Sequence, residues 1–491
     1  MLGPGSSGGS SRSTKTGRNG VPAVVGGLRE RRAPVCLTVL IALIATALVV
    51  VSVGREARAD VYPQPCRSLI TGTPVQSSRV EHRRLDGVKF NVLLPPAYHH
   101  SRRRYPVLYL LNSAASDQDE YLSATDLIQF TGRLPDSQQV IVVLPFGGHL
   151  GFYSDWRDGS QHWETFHIRR LMPFVRAHYR TLGDRAHSAV AGFSMGGFGA
   201  MSYAARHPEL FAAAASFSGE LEPRLLTPPP RGLDIPSFAT LINEVCGEHL
   251  NANGLWGPLA SDEIWWRDHS PVDLATNLRA TSLYMAVGNG VPCRPADLEN
   301  PFVQSLEIEA NDGTRRFDAA LRRVHIAHRT NFYGCGVHIE RYVQRDIHAW
   351  WPVMLAIFRH PPRLPAAFDY RSADPSFSAW GWNFLADPRR APEFLDIRNA
   401  SRRGLTLTGS GATTVTTAAL FRPGQRIEIS ARHGSLVVAA NHQGVITFAV
   451  RLGKPHALQQ YTPAATALER RGHYFITSTV RFIPQSARQH G

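Results

Sequence analysis

Between residues 80 and 361 the apolar positions fall into two alternating kinds of run. Short unbroken stretches at 105–111, 139–144, 188–193, 212–218 and 282–287 read as strands buried on both faces. The stretch 88–94 alternates like an early strand. Between these lie stretches with helical spacing. In 163–179, Phe166, Leu171, Phe174 and Val175 share one side. In 342–358, Trp350, Trp351 and Leu355 form an apolar stripe, and Pro352 is expected to kink or split that helix. Strands alternating with helices predict an α/β fold with a mainly parallel sheet covered on both faces.

Past the Pro-Pro-Arg-Leu-Pro run at 361–365 the helical spacing stops. Seven short β-rich runs follow, at 394–397, 405–407, 413–417, 426–430, 436–440, 445–450 and 474–480, separated by turn residues such as Pro423-Gly424 and Gln443-Gly444. This spacing predicts a small all-β, sandwich-like domain. The chain then divides into a leader (1–59), an α/β domain (60–364) and a β-rich domain (365–491), the last without a catalytic constellation. An insertion at 221–278, with Trp256, Trp265 and Trp266, interrupts the α/β pattern and is expected to form a wall above the sheet. Trp265 and Trp266 read as core residues more than as a ligand platform.

The leader changes the compartment. Residues 1–33 are Gly/Ser-rich and basic, 35–53 is an apolar run, and Ala57-Arg58-Ala59 offers a small-residue cleavage site. The three together read as a secretory signal, with an uncleaved membrane anchor through 35–53 as the alternative. Either places the rest of the chain outside the cytoplasm, secreted or associated with the cell envelope. Of five cysteines, Cys36 lies in the leader, and Cys66, Cys246, Cys293 and Cys335 remain for disulfides, with three pairings open. None has metal-ligand spacing, and no cofactor motif is present. The net charge of +14 falls to +8 outside the leader and is scattered, mostly on arginine. Basic and aromatic residues are not interleaved, so a nucleic-acid partner is not expected; attraction to an anionic envelope is.

Candidate chemistry centres on Gly192-Phe193-Ser194-Met195-Gly196, a G-x-S-x-G match set between a strand and a small-residue helix. In that context Ser194 is the candidate nucleophile at the tip of a sharp turn. A serine hydroxyl needs a base and an acid that orients the base. The chain order Ser, acid, His puts the base late. His338, just ahead of the last helix, fits better than His325, His328 or His348. The acid should follow the strand at 282–287, where Asp297, Glu299, Glu307, Glu309 and Asp312 are equal by pattern. Oxyanion donors are expected from the N–H groups of Met195 and Ala114, the latter in the Asn112-Ser113-Ala114-Ala115 loop.

Several stretches beyond the elbow resemble the secreted esterase D-like α/β-hydrolases, and among them the antigen-85-type mycolyltransferases. They are Phe152-Tyr153-Ser154-Asp155-Trp156, Trp163-Glu164-Thr165-Phe166, the segment 203–211, Trp256-Gly257-Pro258 and Gly288-Asn289-Gly290, and the resemblance covers roughly 80–360. It implies that Glu307, in Leu306-Glu307 ahead of Phe317, is the acid, and that Gly336-Val337-His338 carries the base. It also implies Asn112, Ser113 and Glu222 as substrate contacts, and a small-molecule, lipid or glycolipid ester as substrate. The lipid- and sugar-contacting positions differ: Ile339-Glu340 replaces Ser-Trp after the histidine, Glu222 replaces an asparagine, and Ala115 replaces an arginine. The expectation is an exported serine esterase or acyltransferase. The alternative is a catalytically silent envelope- or matrix-binding protein on the same scaffold.

Overall fold

A computed structural model describes residues 76–226, 234–246, 248–298, 301–431 and 434–485. The leader, Cys36, Cys66, Glu299 and the proline-rich part of the insertion lie outside them. Among the described residues no helix is long and apolar enough to cross a membrane; the apolar run 35–53 is not among them.

Eight strands form one sheet in the order β1-β2-β4-β3-β5-β6-β7-β8. Their ranges are β1 Val80–Leu85, β2 Val88–Leu93, β3 Val107–Leu111, β4 Ile141–Pro145, β5 Ser188–Phe193, β6 Ala213–Phe217, β7 Ser282–Val287 and β8 His328–Phe332. β1 and β2 run antiparallel, and β3 through β8 are mutually parallel. β3, β4, β5 and β6 are buried along their whole length. Their alternate residues serve opposite layers. Leu108, Leu110, Ala189, Ala191, Ala213 and Ala215 pack with Trp350, Trp351 and Met354 of the closing helix, Glu340–Arg359. Val107, Tyr109, Val190 and Ala214 pack with Phe198, Met201 and Tyr203 of the elbow helix, Met195–Arg206. β1 (Val-Glu-His-Arg-Arg-Leu) and β8 (His-Arg-Thr-Asn-Phe) are the two edge strands, and their polar faces hide them from an apolar pattern.

The closing helix runs unbroken through Pro352. That proline is on the exposed face of the helix. In the insertion, Trp256 is 1% exposed and packs on Phe152, Phe198 and Trp266.

Among the described residues the C-terminal part holds ten strands, where the sequence pattern predicts seven. They are β9 Ala367–Ser372, β10 Ser376–Ala379, β11 Trp382–Leu385, β12 Leu395–Ser401, β13 Gly404–Gly409, β14 Gly411–Thr416, β15 Arg426–Ala431, β16 Gly434–Ala439, β17 Thr447–Leu452 and β18 Ile476–Pro484. Two antiparallel sheets, β10-β11-β14-β17 and β16-β15-β18-β13-β12-β9, enclose Phe384, Leu407, Val415, Ile427 and Leu452. The three additional strands are short or alternate with charged residues, and Trp380 and Gly381 take positive φ in the hairpin between β10 and β11.

The sandwich is fused to the α/β part. Ala373 and Phe394 belong to the main apolar core. Asp268 accepts the Ala373 N–H at 2.7 Å, and Asn277 exchanges two hydrogen bonds with the Arg371 backbone. Arg206, at the end of the elbow helix, reaches Glu164 at 2.9 Å, Asp268 at 3.0 Å and Asp374 at 2.8 Å. The Tyr370 hydroxyl donates to its carbonyl at 2.8 Å.

Candidate active site

Ser194 sits at φ 55°, ψ −121°, between β5 and the elbow helix, a conformation a side-chain-bearing residue holds only when its surroundings enforce it. The two flanking glycines explain how. A Cβ on Gly192 would overlap the backbone of Gly196, and one on Gly196 would overlap the carbonyls of Leu111 and Asn112. The strand, the turn and the end of β3 therefore touch backbone to backbone. Ser194 is half-buried, and its N–H donates to Phe217 O at 3.0 Å.

Beside it, the ring of Phe193 lies 4.5 Å from the imidazole of His338. His338 Nδ1 is 2.9 Å from Glu307 Oε2. With Nδ1–H donating to the carboxylate, Nε2 keeps its lone pair; it is buried and has no hydrogen-bond partner. Glu307 is 0% exposed, on the inward face of the helix Pro301–Arg323. Its other oxygen accepts from Ser218 Oγ at 2.8 Å and from the Gly288 N–H at 2.5 Å, with the Tyr333 hydroxyl at 3.5 Å. A buried carboxylate with this many donors is held in one orientation.

The loops at this end of the sheet are laced together. Cys293 and Cys335 form a disulfide between the loop after β7 and the loop that carries His338. Gly336 N donates to Val291 O at 2.6 Å and Gly290 N to Gly336 O at 2.9 Å. Asp297, one of the acids open by pattern, does something else. It accepts from Cys293 N, Arg294 N and the Tyr342 hydroxyl, and so anchors the disulfide loop. His328 contacts Asp318, His348 contacts Asp126, and His325 sits at positive φ ahead of β8; none faces Glu307. Glu309 and Asp312 lie on the same long helix, where Asp312 pairs with Arg316 at 3.3 Å.

Met195 opens the elbow helix, so its N–H is free of intrahelical bonding. No acceptor for the N–H of Met195 or Ala114 is found among the described residues. Around Ala114 the loop is rigid. Asn112 is 1% exposed and has every polar side-chain atom occupied: Nδ2 donates to Ser113 O and Ser116 O, and Oδ1 accepts from Gly147 N and the Tyr153 hydroxyl. Ser113 is bound to Glu120. Glu222 is 3% exposed and paired with Arg224 at 2.6 Å; that arginine also meets Asp273 at 2.8 Å. Asn112, Ser113 and Glu222 thus hold protein structure with their polar atoms.

Three contributors have little sequence signal: Ser218, Glu120 and Tyr333. Ser218 at positive φ just past β6 carries the best one, since loops beyond the carboxyl ends of parallel strands are where such sheets bind ligands. Among the described residues no group of three or more His, Cys, Asp or Glu side chains is placed to hold a metal.

A mostly parallel sheet with a strained serine elbow defines an α/β-hydrolase. The chain belongs to the family described as putative esterase, whose model matches residues 85–352. It is 35% identical over 248 residues to the esterase Rv1288 of Mycobacterium tuberculosis (strain ATCC 25618 / H37Rv), covering 49% of this chain and 50% of that protein. It is 30% identical over 223 residues to the diacylglycerol acyltransferase/mycolyltransferase Ag85A of Mycobacterium leprae (strain TN), covering 42% of this chain and 64% of that one. The chain thus spans about half the length of the first of these relatives. Among solved structures it is similar to Mycobacterium tuberculosis MPT51, at 21% identity and a TM-score of 0.42 over 60% of this chain and all of that one.

Proposed function

We propose that this protein is an exported serine esterase or acyltransferase that works through a covalent acyl-enzyme on Ser194. The observation that carries the proposal is the state of His338: one ring nitrogen bound to a fully buried carboxylate, the other unpaired beside the serine elbow. Ser194 Oγ attacks the ester carbonyl carbon while His338 Nε2 takes its proton. Glu307 keeps the imidazole in the productive tautomer and stabilises the imidazolium. The N–H groups of Met195 and Ala114 bind the oxyanion. Collapse expels the alcohol, which takes the proton back from His338 and leaves the acyl group on Ser194. Water or an acceptor hydroxyl, such as that of a sugar or a glyceride, then attacks the acyl-enzyme by the same route in reverse.

The substrate class follows from the family and from the acyltransferase relatives: a small-molecule or lipid ester. Export is supported by the basic, apolar and small-residue order of the leader and by the disulfide-bonded Cys246, Cys293 and Cys335. A fluorophosphonate should label wild type and not Ser194→Ala, and Ser194→Ala should lose turnover of a short p-nitrophenyl ester. Full turnover by that variant would exclude the mechanism; no labelling of wild type would favour a silent scaffold that binds the envelope. Incubation with acyl esters and a trehalose or glycerol acceptor then scores transfer against hydrolysis.

A further inference from the structure

Glu120 opens the short helix Glu120–Ala124 beneath the loop that carries Ala114, and it is 0% exposed. Both of its carboxyl oxygens are committed to a single residue. Oε2 accepts the Ser113 N–H at 2.8 Å, and Oε1 lies 2.7 Å from Ser113 Oγ. The next residue completes a clamp. The Tyr121 hydroxyl donates to Leu111 O at 2.8 Å and accepts the Phe193 N–H at 2.9 Å. Two adjacent residues thus tie the start of the oxyanion loop to the strand that delivers Ser194.

Burial and the charged and phenolic groups facing Glu120 favour its neutral form, and they outweigh the two Ser113 hydrogen bonds, which favour the carboxylate. Glu340, at the start of the closing helix, and Asp117, in its own loop, both bear on it as like charges. The phenols of Tyr121 and Tyr153 sit beside it. Among the described residues it has no cationic partner. Burial is the largest cause, and it pushes the carboxyl up to about 8.

We infer that Glu120 is a positioning residue for the oxyanion site: as an uncharged carboxylic acid it grips Ser113 at two points and so aims the Ala114 N–H at the ester carbonyl oxygen. The inference rests on the Ser194 mechanism proposed above. In the neutral form the carbonyl oxygen accepts the Ser113 N–H and the acid O–H donates to Ser113 Oγ. The serine's own proton is then left for Ala114 O, 3.4 Å away. Loss of the proton reverses that hydroxyl onto the carboxylate. It also sets a negative charge beneath the place where the substrate oxygen becomes negative, which opposes the transition state. The neutral acid is the productive state and the carboxylate the inhibited one.

The test is the pH dependence of kcat for a short p-nitrophenyl ester between pH 6 and 10, in wild type, Glu120→Gln, Glu120→Ala and Ser194→Ala. Wild-type kcat should fall about tenfold per pH unit above roughly pH 8. Glutamine reproduces both contacts and has no proton to lose, so E120Q should lack that fall. E120A should lower kcat at neutral pH by about tenfold or more with KM little changed, and E120Q should recover most of that loss. An alkaline fall that persists in E120Q, or an E120A variant with wild-type kcat, overturns the inference. If E120A does not fold, the E120Q profile decides alone. Turnover by Ser194→Ala would remove the nucleophile and this inference with it. An inactive Ser194→Ala beside an E120Q profile like wild type would remove this inference only.

Discussion

The ring of Phe193 packs on the imidazole of His338 with centroids 4.5 Å apart and planes inclined at 33°. The residue before the candidate nucleophile is therefore a support for the candidate base. Removing that support frees the imidazole to tilt on its one remaining tether, Glu307. Phe193→Ala should lower kcat/KM by about ten- to a hundredfold, because misplacing a reacting group by about 1 Å costs on that order. Phe193→Leu should lose less. Rates of fluorophosphonate labelling for the two variants provide the measurement, and equal rates would contradict the support role.

Ser218 is the side-chain donor that fixes the far oxygen of Glu307. A hydrogen bond to an ionised group contributes about 1.5–3 kcal/mol. Ser218→Ala should cut kcat/KM about tenfold or more and lower the melting temperature by roughly a few degrees. Steady-state kinetics on the purified variant checks this, and an unaltered kcat/KM would show that Gly288 N and the Tyr333 hydroxyl suffice to hold the carboxylate.

Arg206 is a buried cation among Glu164, Asp268 and Asp374. Burial alone would raise the Glu164 carboxyl; the charge of Arg206 overrides it and holds the group well below the usual carboxylate range, so the carboxylate depends on the arginine to remain buried and charged. Arg206→Met should destabilise the fold by roughly 3–5 kcal/mol. A urea titration followed by tryptophan fluorescence would measure it, and a shift below about 1 kcal/mol would argue that water replaces the guanidinium.

Stability should fall as pH rises from about 6.5 to 8. Burial raises Glu120 to about 8 and Asp346 to about 7, well above ordinary carboxyl values. The stabilisation from such a group is complete below its unfolded value and is lost as pH climbs through the folded one. Buried His167 and His269, lowered to about 4, act in the opposite sense, but only below about pH 6.5. Above that the acids act alone, each by on the order of 1 kcal/mol per pH unit until it ionises. Calorimetry at three pH values tests the slope, which Asp346→Asn should flatten. A melting temperature that holds or rises would refute it.

The Cys293–Cys335 disulfide closes a 42-residue separation and ends three residues before His338. Replacing both cysteines by serine should cost about 2–4 kcal/mol of stability. The same change should lower kcat more than it raises KM, since it loosens the base and not the pocket. Comparing kinetics with and without a dithiol reductant gives an independent reading, and unchanged kcat in both would limit the bridge to stability.

How much of this was legible depended on distance along the chain. The elbow is written within five residues, because Gly192 and Gly196 are required by contacts the turn itself makes. His338 followed from chain order. Glu307 did not stand out among five acids. What distinguishes it is burial against Ser218, Gly288 and His338, which lie 89, 19 and 31 residues away. The cysteine pairing, across 42 residues, was hidden for the same reason; Glu120, only seven residues from Ser113, was hidden because its burial leaves no mark in the pattern. β1 escaped because edge strands are polar, and β9 to β11 because short strands with charged alternation resemble loops.

The seam between the α/β part and the sandwich limits how such a chain can be recombined. Phe394 and Ala373 complete an apolar core whose other members run from Phe90 to Ile326. A sandwich borrowed from another protein would have to arrive with a carboxylate for Arg206, a backbone N–H for Asp268 and a peptide to match Asn277. The Pro-rich stretch at 361–365 marks a change of composition, not a place to cut. The two parts can vary only in step, and substitutions at the seam should come in compensating pairs.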